Sequence, residues 1–290
     1  MSGPSLLVNL SVPQRAAAAA GPDLGAEGVG LMRAEFLVFQ TGKHPGLLQE
    51  QGELQRRLAD GMRQVAQAFH PRRVLYRSLD QRTNDLRSLE GAEGREPHEE
   101  NPALGCRGVF RSRRFPEIFL AELAALRQVR SEGFNSLQLM LPFVRWADEV
   151  AWAREQCTRQ GLLAQNAFEL WLMVETPAAV LRAEDFRGMV DGVSIGSNDL
   201  TQLTLAIDRD NEVFADVNLD RDPAALAAIE WAIRSFQRLG VPVGICGDAP
   251  SRSEHVLQSL VSWGVNSISV SPDRLEATRV LLSQISSPAS

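Results

Sequence analysis

The chain has 290 residues, of which 44% are hydrophobic, and it carries a formal net charge of -6 with a pI near 5.4. This acidic balance argues against a general nucleic-acid-binding surface, which needs a basic face. No apolar run reaches the roughly 18 residues of a membrane helix, and the segment 6–20 is interrupted by Pro13 and Arg15. We therefore expect neither membrane insertion nor export.

The length suits one barrel-sized α/β domain spanning residues 1–290. The three cysteines, Cys106, Cys157 and Cys246, are odd in number and show no CxxC spacing. Neither a disulfide framework nor a thiolate zinc site is indicated, and a reducing, cytoplasmic setting fits best. Lys43 is the only lysine among 30 basic residues, so nearly every cation is a guanidinium suited to flat, bidentate anions.

Apolar, β-rich segments recur along the chain and alternate with longer segments of helical period. Eight continuous apolar strands with intervening helices predict a parallel sheet covered on both faces, closed into a (β/α)8 TIM barrel. An open doubly wound sheet is the alternative. The predicted strands are 6–10, 29–32, 74–77, 137–143, 170–176, 192–196, 241–246 and 267–270, and the clearest helices are 46–69, 116–131, 146–161, 223–239 and 252–262.

One connection, residues 80–105, is conspicuously polar: DQRTNDLRSLEGAEGREPHEENPALG. It contains many charges and little to bury. Loops of this length in compact domains are usually functional lids or disordered linkers. We expect this segment to be a mobile lid over the barrel.

Polar side chains follow several predicted strands at their C-terminal ends, where the working residues of such barrels gather. Glu175 and Asp199 follow neighbouring strands and have no histidine near them in the sequence. Hard oxygen ligands of this kind suit Mg²⁺ or Mn²⁺. Asp199 is expected to hold the cation, and Asn198 beside it to donate to a bound anion.

Arginines stand at or near the same strand ends, at Arg33, Arg77, Arg107 and Arg209. Guanidiniums bind phosphate and carboxylate groups by bidentate, charge-assisted hydrogen bonds. Each arginine taken alone is more often a surface or ion-pair residue. Their joint placement at one end of the barrel favours an anion site.

Cys246 lies between Ile245 and Gly247 in VGICGD, at the end of the seventh predicted strand. It fits a buried structural cysteine. It equally fits a thiol whose pKa is lowered by arginines and a divalent cation, acting as a proton donor or acceptor. The residues alone leave both interpretations open.

Five segments together resemble a known family: GAEGVGLMRAEFL, ENPALGCRG, LMVETPAAV, SIGSNDLTQLTLAIDRD and VGICGDAPS. They are similar to the C-terminal phosphoenolpyruvate (PEP)-binding barrel of the PEP-utilising enzymes. This family contains phosphoenolpyruvate synthase, pyruvate phosphate dikinase and enzyme I of the sugar phosphotransferase system. The resemblance runs in the family's order over residues 6–280, and the RTND, EEN and SNDLTQLTLAIDRD stretches look most like the synthases.

The resemblance implies phosphoryl transfer between a phosphohistidine and the enolate of pyruvate, with Mg²⁺ or Mn²⁺ as cofactor and PEP or pyruvate as substrate. Carried over to this sequence, it implies that the phosphoryl and carboxylate groups are bound by Arg33, Arg77 and Arg209, with help from Arg107. It also implies that Asn198 contacts the substrate and that Glu175 and Asp199 ligate the metal. Cys246 would exchange a proton with the methyl or methylene carbon. Cys246, Arg33 and Arg77 would be the catalytic residues.

The chain also departs from the family pattern. The glycine-rich phosphohistidine motif and the ATP-grasp module are not found in these residues, so we expect an isolated PEP/pyruvate half that needs a phosphohistidine donor on another domain or protein. Arg82-Thr83-Asn84-Asp85-Leu86 stands where synthases commonly have Lys-Thr/Ser-Asn-Glu-Tyr, which puts the lid contacts in question. Family barrels typically dimerise, and we expect a homodimer.

Three alternatives stay open from the sequence. The chain could be the equivalent domain of pyruvate phosphate dikinase or enzyme I. It could also be a non-catalytic PEP-sensing or interaction module that retained the ligand residues. A pyruvate-handling lyase on a similar barrel would share the Glu/Asp metal pair, although the thiol of Cys246 and the LGCRG segment favour the PEP-utilising family.

Overall fold

A computed structural model describes residues 3–209, 211–214, 217 and 219–286. Eight parallel strands follow one another around a closed barrel, and each pairs with its sequence neighbour. The barrel closes where the first strand pairs with the last, Ser5 with Ser267 through Val8 with Val270. The strands are β1 (Ser5–Leu10), β2 (Val29–Arg33), β3 (Val74–Arg77), β4 (Leu137–Leu141), β5 (Leu170–Val174), β6 (Gly192–Gly196), β7 (Val243–Cys246) and β8 (Ser267–Val270).

Helices cover the outside of this barrel, and the predicted (β/α)8 architecture is confirmed. The open doubly wound sheet is wrong, since β1 and β8 are hydrogen-bonded to each other. None of the described helices is both long and apolar enough to cross a membrane. The helices are α1 (Ala16–Ala20), α2 (Glu35–Phe39), α3 (Pro45–Glu50), α4 (Leu54–Phe69), α5 (Thr83–Leu86), α6 (Gly108–Arg114), α7 (Pro116–Ser131), α8 (Ala147–Arg159), α9 (Pro177–Leu181), α10 (Ser197–Leu205), α11 (Pro223–Arg238), α12 (Ala249–Arg252), α13 (Glu254–Ser262) and α14 (Leu275–Ser286).

The outer core lies between the barrel and its helices. In α4, Leu54, Leu58, Met62, Val65 and Phe69 recur at helical spacing and are all fully buried. This apolar face packs against β3 and the neighbouring helix α7. Burying each such side chain contributes roughly 1.5–3 kcal/mol, so the helices fix the strands from outside.

Several predicted elements have different limits in the structure, and two of these differences have a clear physical cause. The helix expected over 46–69 is two helices, α3 and α4, because Gly52 takes a φ of +70° that interrupts the helical path. The strand expected over 137–143 ends at Leu141, because Pro142 has no N–H for the ladder. Phe143 then adopts a φ of +47°, so the chain turns sharply after this strand.

Candidate active site

Two cavities open at the C-terminal ends of the strands, one of about 400 Å³ and one of about 240 Å³. Both are bounded by Arg33, Arg77, Asp199 and Arg209, so they meet at these four side chains. We call the two cavities together the mouth. The larger one is also lined by Asp80 and Arg107, and the smaller one by Glu175, Asn198 and Cys246.

The predicted residues therefore share one end of the barrel. Every residue expected in the site lines at least one of the two cavities, in agreement with the placement of working residues in this fold.

Three carboxylates converge in the mouth: Asp80, Glu175 and Asp199. One oxygen from each lies within 4.8 Å of the oxygens of the other two. Asp80 and Glu175 are buried, and Asp199 is partly exposed. The predicted pair of Glu175 and Asp199 is close enough to share one ion, and Asp80 is a third oxygen donor that the sequence analysis did not select. This set of hard oxygen ligands fits Mg²⁺ or Mn²⁺.

Glu175 is the most deeply placed of the three, at the end of β5. Its Oε1 accepts a hydrogen bond of 2.7 Å from the Phe143 N–H, which the turn after β4 aims into the barrel. Gly196 leaves the space that Glu175 occupies, since a Cβ there would stand 2.5 Å from Glu175 Oε2. Burial, and then the carboxylates of Asp199 and Asp80, raise the pKa of Glu175 well above its ordinary value.

Arg107 lies between two of the three carboxylates. Its Nε and Nη2 donate to the two oxygens of Asp80 at 3.0 and 2.6 Å. Its Nη1 and Nη2 also donate to Asp199, at the longer distances of 3.3 and 3.4 Å. The guanidinium stacks on the ring of Phe143 at 3.9 Å. Arg107 is thus held inside the mouth by charge on two sides and an aromatic ring on another.

Arg77 is held by a carboxylate that the sequence analysis also missed. Its Nη2 donates to Glu35 Oε1 at 2.7 Å, and its Nη1 lies 3.6 Å from Asp80 Oδ2. The Asp80 N–H donates to the same Glu35 oxygen at 2.9 Å. Arg77 Nε is buried without a hydrogen-bond partner. Because Arg77 lines both cavities, its positive charge can attract an anionic ligand there.

Glu35 and Asp80 could have been found from their positions. Glu35 comes two residues after Arg33, and Asp80 three residues after Arg77, so both follow strand ends at the mouth. Asp80 was instead assigned to the polar connection, where it is one charge among many. Asp80 is only 8% exposed, which distinguishes it from the other charged residues of the connection, and the depth of a side chain is not visible in a single sequence.

The remaining two arginines are more open. Arg33 is exposed, and its Nε and Nη2 donate to Ser11 Oγ at 2.9 and 2.6 Å. Arg209 lines both cavities, and its backbone N–H donates to Gln202 Oε1 at 3.3 Å. Arg33 thus bonds to a neutral hydroxyl, and both side chains line the two cavities, where their positive charge can attract an anionic ligand.

Asn198 and Asp199 belong to the first turn of α10, directly after β6. The Asn198 amide donates to Asp248 Oδ2 at 3.4 Å, and its Oδ1 accepts from the Asp248 N–H at 3.2 Å. These bonds tie the end of β6 to the loop after β7. Asn198 is therefore positioned at the edge of the smaller cavity, with Asp199 one residue further along the same turn.

Cys246 lies deeper, at the end of β7. It packs with an apolar group inside the barrel and donates from Sγ to the Ile195 carbonyl at 3.6 Å. The sequence left open whether this residue is a buried structural cysteine or a thiol whose pKa is lowered by neighbouring charges. Burial instead raises its pKa to about 11 and outweighs the opposing influence of Arg77 and Arg33. In this structure the thiol is protonated at neutral pH, which suits a proton donor.

The polar connection 80–105 has more structure than its composition suggests. Glu96, inside it, accepts from His44 Nε2 at 2.8 Å and from Arg111 Nη1 at 2.8 Å. Glu99 accepts from Thr83 Oγ1 at 2.7 Å and from the Cys106 N–H at 2.9 Å. These buried acids anchor the segment to its surroundings. Its movement as a lid stays a prediction.

Comparison with known proteins identifies the family. The family model described as PEP-utilising enzyme, PEP-binding domain matches residues 3–287. The probable phosphoenolpyruvate synthase of Methanocaldococcus jannaschii is 43% identical over 276 residues, which cover 94% of this chain and 23% of that protein. The phosphoenolpyruvate synthase of Escherichia coli is 36% identical over 307 residues, covering 97% of this chain and 38% of that protein.

The chain thus spans well under half the length of these relatives. Among solved structures, an HpcH/HpaI aldolase/citrate lyase family protein from Burkholderia cenocepacia has a TM-score of 0.56 at 16% identity, covering 99% of this chain and 95% of that one. At that identity the likeness supports the barrel fold alone. The family match over nearly the whole sequence shows that the chain belongs to the PEP-binding domain family of the PEP-utilising enzymes.

Proposed function

We propose that this barrel binds PEP or pyruvate together with a divalent cation, and that it moves a phosphoryl group between a phosphohistidine on another domain or protein and the enolate of pyruvate. The observation that carries the proposal is the convergence of Asp80, Glu175 and Asp199 with the mouth arginines at one end of the barrel. A small phosphorylated acid needs guanidiniums that bind its anionic groups, and the divalent cation that accompanies it needs carboxylate ligands.

A divalent cation would be held by Glu175 and Asp199, with Asp80 as a third oxygen donor. The three carboxylates suit a divalent cation because one oxygen of each lies within 4.8 Å of the other two. In addition, the Phe143 N–H donates a hydrogen bond to only one of the two Glu175 oxygens. When bound, the cation would neutralise negative charge that develops on the substrate oxygens. Substrate binding and proton transfer would be carried out by the protein's own side chains.

The arginines would bind and orient the substrate. Arg33 and Arg209 present charge to both cavities, and Arg77 adds a buried guanidinium that lines them as well. Positioned guanidiniums stabilise negative charge without having to reorganise during the reaction. They would hold the phosphoryl and carboxylate groups so that the carbon end of the substrate points into the smaller cavity, toward Cys246.

Cys246 would supply the proton. Its thiol lines the smaller cavity and is protonated at neutral pH, because burial raises its pKa to about 11. In the direction that forms pyruvate, Sγ would donate this proton to the methylene carbon, and in the reverse direction it would take it back. The apolar surroundings of Cys246 keep water away from that carbon.

The phosphoryl donor would come from elsewhere. None of the described residues lining the two cavities is a histidine, which supports a phosphohistidine carried by another domain or protein. A cytoplasmic setting stays a prediction from the sequence. A homodimer stays a prediction from the family resemblance.

Calorimetric titration with PEP tests the proposal. Binding is expected to require Mg²⁺, and Glu175→Gln is expected to weaken that Mg²⁺-dependent binding at least about tenfold, because it removes one ligand charge. Glu149→Gln is the matched control, since Glu149 is equally buried but lines neither cavity. Equal PEP affinity with and without Mg²⁺, or no effect of Glu175→Gln, would contradict the proposal.

A further inference from the structure

We propose that Arg107 is a resident counter-cation of the carboxylate cluster, and that it must release Asp199 when a divalent cation binds. The release would turn one edge of its guanidinium toward the substrate anion. Cation binding and anion binding would thereby be coupled through a single side chain. This inference rests on the proposed function and adds a mechanism for ordering its two ligands.

The two ion pairs of Arg107 are unequal. Asp80 receives two short hydrogen bonds, 2.6 and 3.0 Å, in a bidentate arrangement. Asp199 receives two longer ones, 3.3 and 3.4 Å. Short bidentate pairs between arginine and carboxylate are the stronger kind. Asp80 is therefore the anchor of Arg107, and Asp199 is the partner that it can give up.

Asp199 cannot keep both hydrogen bonds to Arg107 and also ligate a metal ion. Both of its oxygens accept from Arg107, while one of them also lies within 4.8 Å of the oxygens of Asp80 and Glu175. A divalent cation in that cluster would be close to the guanidinium and repel it. Since side chains this far buried are poorly screened by water, the repulsion favours loss of the weaker pair.

Arg107 has little freedom to leave the mouth. Its side chain is only 7% exposed, and the guanidinium stacks on Phe143 at 3.9 Å. When Asp199 turns to the cation, the Nη1 edge of Arg107 would stay beside the larger cavity, which it lines together with Arg33, Arg77 and Arg209. Asp80 is then a positioning residue, because it keeps Arg107 available to the anion.

The consequence is positive coupling. In the empty site Arg107 competes with the cation for Asp199, so cation binding alone is weak. A substrate anion that binds the released edge of Arg107 removes this competition, and by linkage each ligand strengthens the binding of the other. The structure thus predicts that removing Arg107 changes the two affinities in opposite directions.

Arg107→Met tests the inference, because it removes the charge and keeps a side chain that packs on Phe143. Mn²⁺ is the probe, with the free ion measured by electron paramagnetic resonance. Without PEP, the variant is expected to bind Mn²⁺ about tenfold more tightly than the original protein. With Mn²⁺ present, it is expected to bind PEP at least about tenfold more weakly.

Two further variants separate charge from packing. Arg107→Lys keeps the positive charge and is expected to leave the Mn²⁺ affinity near that of the original protein. Arg33→Met removes a mouth arginine that bonds to Ser11 and to none of the three carboxylates. It is expected to weaken PEP binding without tightening Mn²⁺ binding. Circular dichroism checks folding, and Arg107→Gln replaces Arg107→Met if the latter does not fold.

The possible outcomes distinguish this inference from the function on which it rests. Unchanged or weaker Mn²⁺ binding by Arg107→Met, in a protein that still binds PEP with Mn²⁺, would overturn the role of Arg107 alone. Absence of Mn²⁺ binding in all variants, with or without PEP, would overturn the proposed function as well. Tighter Mn²⁺ binding together with weaker PEP binding supports the inference.

Discussion

Two carboxylates, the partly buried Glu35 and the buried Asp80, hold the guanidiniums of Arg77 and Arg107. Glu35 binds Arg77 and the backbone of Asp80, and Asp80 binds Arg107. No sequence motif marks an acidic residue that binds an arginine in a site, because ordinary surface ion pairs use the same residue types. The sequence therefore predicted the arginines and not the partners that fix them.

Cys246→Ala should separate binding from proton transfer. The variant is expected to bind PEP with Mg²⁺ as before, because Sγ is not a charged contact. Exchange of the pyruvate methyl protons with D₂O, followed by NMR, is expected to slow at least about 100-fold, since the proton donor is lost.

Cys157→Ala is the matched control for this measurement, because Cys157 is a free, buried thiol in α8 that lines neither cavity. Exchange by this control is expected to match the original protein. Normal exchange in Cys246→Ala would remove Cys246 from the mechanism, and PEP binding without any exchange in the original protein would favour a sensing module.

Glu122 gives a prediction about pH and stability. It is fully buried in α7, where Oε1 accepts from the Tyr76 hydroxyl at 2.6 Å and from the Leu79 N–H at 2.8 Å, with Glu35 and Arg77 nearby. Burial raises its pKa from 4.5 to about 8. The folded state therefore holds this proton more tightly than the unfolded state does, and the resulting stability is lost as pH rises from 5 to 8.

Glu122→Gln removes that titration and keeps an oxygen that can accept both hydrogen bonds. Urea unfolding of both proteins between pH 5 and 8 measures the effect. The free energy of unfolding of the original protein, relative to the variant, is expected to fall by a few kcal/mol over this range. Parallel pH profiles would show that Glu122 does not titrate there.

The connection 80–105 is the segment whose structure differs most from what its composition predicts. Its charges indicated a solvated lid, yet Glu96 and Glu99 turn inward and bind groups outside or at the far end of the segment. Composition alone predicts that charged residues are exposed, and they are buried only where the tertiary structure supplies a partner. By contrast, long helices such as α4 and α7 were predictable, because their apolar period is strong.

Glu96→Ala should loosen this connection. It leaves the buried guanidinium of Arg111 and the ring of His44 without their shared partner. The free energy of unfolding is expected to fall by about 3 kcal/mol, as for other buried ion pairs that lose one member. Limited proteolysis is expected to cut faster within 80–105. Glu93→Ala, an exposed acid of the same segment, is the control and should change neither quantity.

The barrel as a whole was predictable because its signals repeat. Eight apolar strands alternate with helices, and parallel strands closed into a cylinder bring all their C-terminal ends to one side. Glu175 and Asp199 follow the adjacent strands β5 and β6, so they had to lie near each other once the fold was known. What a single sequence could not show is that Arg107, 68 residues before Glu175, lies between Asp80 and Asp199.

The direction of the Cys246 pKa shift could not be decided from the sequence for a similar reason. Nearby charges can be guessed from strand ends, whereas the depth of a side chain depends on the whole interior. Cys246 packs among Leu31, Leu75, Met173 and other apolar residues inside the barrel, and their exclusion of water decides the direction of the shift.

Anomalous scattering from crystals grown with Mn²⁺ and PEP tests the central claim most directly. One strong Mn²⁺ peak is expected at the mouth, within bonding distance of Glu175 and Asp199 oxygens, with PEP density reaching from the arginines toward Cys246. A peak elsewhere on the protein, or PEP bound with no Mn²⁺ between the carboxylates, would contradict it.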